Sequence, residues 1–121
     1  MKVEMAAVAL SLAICTFTVA HADTGNEMLN NCRAFLKDPP PSSQMFHAGV
    51  CAGFVIGIVD GLMFAQVADP STTAVCMPER GYTVGQGIRV LTKYLNDHPE
   101  KLNVDVSLLA FEAFRRAFPC K

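Results

Sequence analysis

Residues 49–61 read GVCAGFVIGIVDG, with a glycine at every fourth position: Gly49, Gly53, Gly57 and Gly61. That spacing is the small-xxx-small ridge of packed membrane helices, so the fold turns on whether this helix crosses a bilayer or runs through a core. Positions 48–59 carry no polar side chain, a run of the length found in buried core helices. Lengthening it to a span takes in Asp60, at a cost of roughly 2.5–3.5 kcal/mol near the bilayer centre. No lysine or arginine stands between Lys37 and Arg80, so the basic flanks that anchor a span are missing. The stretch reads as the central helix of a globular domain, not as a membrane span.

Each glycine costs about 0.8–1.0 kcal/mol against alanine inside a helix, which calls for a compensating contact. At 100° per residue, Gly49, Gly53, Gly57 and Asp60 fall within about 80° of one another, and Cys51 points almost the opposite way. A helix apolar on all sides is expected to be buried on all sides. The reading is a helix stapled to one neighbour through Cys51, with Gly53 and Gly57 letting another backbone approach closely. Asp60 is then a buried carboxylate, which has to be paired, hydrogen-bonded or protonated. Arg89, Lys93 or a hydroxyl is its expected partner.

Outward from this helix, the N-terminus decides the compartment. Lys2 precedes an apolar run over residues 5–19, and Ala20-His21-Ala22 supplies a small-x-small cleavage site. Residues 1–22 read as a secretory signal peptide, cut after Ala22, which leaves one small domain over residues 23–121. Removing Lys2 and Glu4 from 10 basic and 11 acidic residues leaves nine against ten. Such a balance argues against a nucleic-acid partner. Cys15 leaves with the signal, and Cys32, Cys51, Cys76 and Cys120 remain. An even count in a small exported chain reads as two disulfides.

The remaining elements follow from caps and stops. Thr24-Gly25-Asn26-Glu27 is a capping box opening a first helix with Met28, Leu29, Cys32, Phe35 and Leu36 on one stripe, and Asp38-Pro39-Pro40-Pro41 ends it. The central helix runs from about Ser43 to Ala68, before Asp69-Pro70. Thr83 to Gln86 opens a third helix with Val84, Ile88, Leu91 and Leu95 inward, stopped at His98-Pro99. Asn103 is placed to cap a fourth, carrying Val106, Leu109, Ala113 and Ala117, with Leu108, Phe111, Phe114 and Phe118 alongside. No strand-like alternation appears, and the class is all-α, a four-helix bundle.

Four cysteines allow three pairings, and an up-down bundle selects one. Cys32 lies near the end of the first helix and Cys51 near the start of the second, at one level of antiparallel helices. The loop after the second helix and the end of the fourth share a pole, which brings Cys76 to Cys120. The expected bridges are Cys32–Cys51 and Cys76–Cys120.

Chemistry-bearing residues are few. His47 and Cys51 stand four apart, a metal-clamping spacing, but further ligands are not evident and Cys51 belongs to a disulfide, so no metal is expected. His98 reads as a helix C-terminal histidine, and Arg115-Arg116 as charges meeting the last turn or a rim contact for an acidic partner. No nucleophile elbow, phosphate loop or zinc-protease motif occurs. The chain reads as a protein without catalytic residues or cofactor.

Cys51 with Gly53-Phe54-Val55-Ile56-Gly57 and Asp60, Cys76-Met77-Pro78 with Thr83-Val84-Gly85-Gln86, Tyr94-Leu95 with His98-Pro99-Glu100, and Ala117-Phe118-Pro119-Cys120 stand in this order. Together they resemble the Rap/Tai family of periplasmic immunity proteins of type VI secretion, over essentially the full mature chain. The resemblance implies a small helical periplasmic protein, often a homodimer, that covers the active-site cleft of an imported peptidoglycan amidase toxin and so protects the producing cell. Residues 69–82 are the expected contact loop by position and length. Met77, Arg80 and Tyr82 are its expected anchors by residue type. A second class is a periplasmic stress or acid-protection chaperone-like protein, whose apolar surface is released by protonating a buried carboxylate, with Asp60 as the trigger.

Overall fold

A computed structural model describes residues 23–121; the expected signal peptide, residues 1–22, lies outside the described residues. Four helices follow in order: α1 (Gly25–Phe35), α2 (Met45–Ala68), α3 (Val84–Asp97) and α4 (Val106–Ala117). Single 3-10 turns at Ser42–Gln44 and Pro99–Lys101 introduce α2 and follow α3. Among the described residues there is no strand, only two isolated antiparallel bridges, Thr24 with Asp105 and Val75 with Pro119. The architecture is all-α.

Thr24 starts α1 with a complete capping box, its hydroxyl accepting from the Glu27 N–H while the Glu27 carboxylate accepts from the Thr24 N–H. The N–H groups of Gly25 and Asn26 donate to the carbonyls of Val104 and Leu102, and the Asp23 carbonyl accepts from the Val106 N–H. The head of α1 is thereby sewn to the head of α4. Thr83 caps α3 through the Gln86 N–H. At α4 the cap is Asp105, which accepts from the Ser107 N–H at 2.7 Å, rather than Asn103. The 3-10 turn carries on through the Val104 N–H to Lys101 bond, which moves the start of the helix two residues along.

α1 packs mainly on α2 and α3 mainly on α4, with α2–α3 and α1–α3 contacts joining the pairs. The innermost side chains are Met28, Cys32, Cys51, Val55, Val75, Ile88, Leu91, Leu95, Val106 and Phe114. Cys32 and Cys51 are bonded, with their Cα atoms 5.0 Å apart, and so are Cys76 and Cys120. Both staples are the expected pairs, but the up-down order used to select them is corrected: in such a bundle the heads of α1 and α4 lie at opposite poles, and here they are hydrogen-bonded to each other.

The central helix differs from its expectation. Only Ala48, Cys51, Val55 and Val59 of α2 are buried. Its far side is open, with Phe46 77%, Phe64 75% and Val67 81% exposed. A Cβ built on Gly49, Gly53, Gly57 or Gly61 meets nothing within 4 Å, so no backbone approaches there, and Asp60 is exposed rather than buried. Length supplies the reason. A helix of 24 residues is about 36 Å long, whereas 11, 14 and 12 residues give about 16, 21 and 18 Å. Three short neighbours on one side cannot wrap it. By length and apolarity alone residues Ser42–Ala68 could cross a bilayer, with a mean hydropathy of 2.0 over the most apolar window. That window holds both the core stripe and Asp60.

Candidate partner-binding surface

The segment between α2 and α3 begins with a local turn. Ser71 donates to the Asp69 carboxylate from its N–H at 3.1 Å and from its hydroxyl at 2.6 Å. The Ser71 hydroxyl, then Thr72, hold the Asp69 carboxyl below its ordinary range. Val75 is buried and bridges Pro119, while the Cys76 N–H donates to the Phe118 carbonyl at 2.9 Å. The Cys76–Cys120 bond locks the same level. Next, the Met77 backbone is gripped from α2, its N–H donating to Gln66 Oε1 at 2.9 Å and its carbonyl accepting from Gln66 Nε2 at 3.5 Å.

Met77 is 3% exposed. An apolar side chain this deep in the core cluster is a foundation of the loop, and the expectation that it anchors a partner is corrected. Arg80 is exposed, as are Glu79 and Gly81. Gly81 has φ +78°, the left-handed conformation that glycine adopts without a Cβ clash. Tyr82 is half-buried, its ring edge-on to Phe118 at 6.3 Å. Its hydroxyl is buried and meets no hydrogen-bond partner among the described residues, and burial pushes its pKa up. The loop therefore has two core feet, Met77 and Tyr82, and presents Glu79-Arg80-Gly81 between them.

Other candidate residues are placed elsewhere. His47 hydrogen-bonds Asn31 at 2.8 Å, beside a polar groove of about 740 Å³ between α1 and the start of α2. Cys51 is spent on its disulfide, and among the described residues no three His, Cys, Asp or Glu side chains are placed to hold a metal. Sequence reasoning missed a polar cluster on the opposite helices. The Tyr94 hydroxyl donates to Glu112 Oε2, and Lys101 Nζ reaches that oxygen at 3.1 Å. These contacts, the tyrosine's first, hold the Glu112 carboxyl below its ordinary range and the Lys101 ammonium above its own. The grip of Gln66 was missed as well, since a glutamine near a helix end carries no spacing signal.

A model of the family described as Rap1a immunity proteins matches residues 24–120. No curated protein and no solved structure matches the chain. The match runs from the threonine that caps α1 to the cysteine that closes the second staple, and the chain belongs to the Rap1a immunity protein family.

Proposed function

We propose that the protein is exported to the periplasm, cut after Ala22, and there binds a type VI secretion peptidoglycan amidase, blocking it by occlusion without doing chemistry. The observation that carries this reading is the tip at Glu79-Arg80-Gly81, held between the buried Met77 and the half-buried Tyr82 and lashed by Cys76–Cys120. Tight occlusion needs a surface ordered before binding, because ordering a loop on contact subtracts from affinity. Arg80 is the anchor, an arginine being a residue type in which binding energy concentrates. Export finds support at Asp23, the first residue after the proposed cut, which already gives its carbonyl to the fold. The acid-protection alternative loses its trigger, since Asp60 is exposed.

Co-expression with the amidase encoded nearest the gene, in the periplasm of a sensitive host, tests the reading. The native protein protects, and Arg80→Ala loses protection while expressing and melting normally. Lysis despite folded native protein would overturn the proposal.

The open side of α2 belongs to a second copy of this chain. Phe46 and Phe64 are five helical turns apart and so point the same way, about 27 Å from each other, across a floor of glycines that also carries the exposed Asp60. Two such faces laid antiparallel are self-complementary, as a two-fold interface requires. Light scattering at micromolar concentration should find a dimer, and Phe64→Glu a monomer with an unchanged fold. A monomeric native protein would refute this.

A further inference from the structure

A cleft of about 260 Å³ lies between α3 and α4. Val90 and Ala113 form its apolar floor, and the rings of Tyr94 and His98, stacked at 4.2 Å, form a wall. Four of the charges around it cancel in pairs: Lys93 with Asp97 at 2.6 Å, and Lys101 with Glu112 at 3.1 Å. Arg116 has no carboxylate at ion-pair distance among the described residues, and feels the Glu112 charge only at longer range.

Its position is nonetheless fixed, by two uncharged groups. His98 Nδ1 lies 2.8 Å from the Tyr94 carbonyl, which can only accept, so Nδ1 carries the proton and Nε2 offers a lone pair. Arg116 donates to that Nε2 at 3.4 Å and lies 5.5 Å from the centre of the Tyr94 ring. These contacts orient the guanidinium and leave its charge intact. One of five N–H donors is used, so a planar pair remains for a bidentate acceptor.

We propose that this cleft recognises an aspartate or glutamate presented by an exposed loop of a protein partner, Arg116 gripping the carboxylate while its methylene stem lies on Val90 and Ala113. The proposal rests on the reading that the chain acts by binding a protein. An apolar floor beneath a cation that makes no direct ion pair fits a carboxylate on a stem better than a bare inorganic anion, which leaves the floor wet.

Titration of the isotope-labelled exported protein, followed by NMR, tests the assignment with acetyl-leucyl-glutamate amide as probe. Saturable shifts are expected at the Arg116 side-chain N–H and the Ala113 amide. Affinity should fall about tenfold or more with the glutamine counterpart, with inorganic phosphate, or in Arg116→Gln, the loss of one charge-assisted contact. Arg115→Gln should change it less than about twofold. Unperturbed amide spectra of the free variants separate lost binding from lost folding. Equal binding of the glutamine peptide, equal binding of phosphate, an equal loss in Arg115→Gln, or no saturation would each overturn the proposal. No toxin enters this titration, so its failure leaves the protection assay standing, and failed protection leaves the titration standing.

Discussion

A Cβ built on Gly87 would lie 1.7 Å from the Tyr82 hydroxyl oxygen and 2.9 Å from Val55 Cγ1. Gly87→Ala must therefore displace the Tyr82 ring, and the expected loss is about 1–3 kcal/mol, the range for overpacking. Gly57→Ala meets open space, removes backbone freedom from the unfolded chain and should gain about 0.4–1 kcal/mol. Urea melts of dilute protein, in which association does not contribute, compare the two; the reverse order would contradict the packing. The sequence displays the Gly49 to Gly61 ladder plainly and Gly87 hardly at all. Spacing records which residues share a side of a helix. It does not record what lies opposite, and on α2 nothing from the described residues of the same chain does. Asp60 follows the same rule: a carboxylate among apolar neighbours in sequence is exposed in the single chain.

At the scale of elements, sequence reading succeeds where a helix carries its own start and stop. Thr24 with Glu27 and Thr83 mark α1 and α3 because their side chains accept the free N–H groups of the first turn. Before α4 two side chains of the right kind, Asn103 and Asp105, stand two apart, and local pattern cannot rank them. The 3-10 turn at Pro99–Lys101 decides between them. Asp105→Ala should cost about 1 kcal/mol, and Asn103→Ala only a few tenths; thermal melts distinguish them, and equal losses would remove Asp105 as the cap. α2 starts after Gln44 with no side-chain cap hydrogen bond, and at its far end the Asp69 N–H donates to the Ala65 carbonyl. It holds through its buried stripe and the bond from Cys51, and because it is apolar on every side its composition gives no direction to that stripe. The inward faces of α1, α3 and α4, each amphipathic, are legible for the opposite reason, except for Leu36 and Ala117, which fall on those stripes but are exposed at the helix ends.

The whole molecule is braced near neutrality. Glu112 has a lowered pKa, so it contributes stability above the ordinary carboxylate range and loses it as pH falls through the lowered value. Lys101, raised by Tyr94 and Glu112, and Tyr82, raised by burial, contribute below their ordinary values and lose it as pH rises through the raised ones. Melting temperature against pH should show a plateau that falls at both ends, and Glu112→Gln should lower the plateau and flatten the acid limb. An acid limb unchanged in that variant would show that Glu112 does not carry it. The staples add more: closing loops with sequence separations of 19 and 44 is worth roughly 3 and 4 kcal/mol in the chain-entropy account. A domain this small needs them, since its core is modest. Cysteine pairing was legible at this scale because a four-helix chain has few ways to return on itself.

The two bridges also join the four cysteines of the described residues in the order in which they follow one another along the chain, first to second and third to fourth. A polypeptide threaded N-terminus first into an oxidising compartment offers Cys51 while Cys32 is its single available partner. Cys76 and Cys120 arrive after that pair has closed. Oxidation in order of emergence then writes the native connectivity directly, with no wrong bridge to undo by a rearrangement that takes minutes to hours without a catalyst. If the chain is exported as proposed, it needs an oxidant to reach this connectivity, and an isomerase is expected to find nothing to correct.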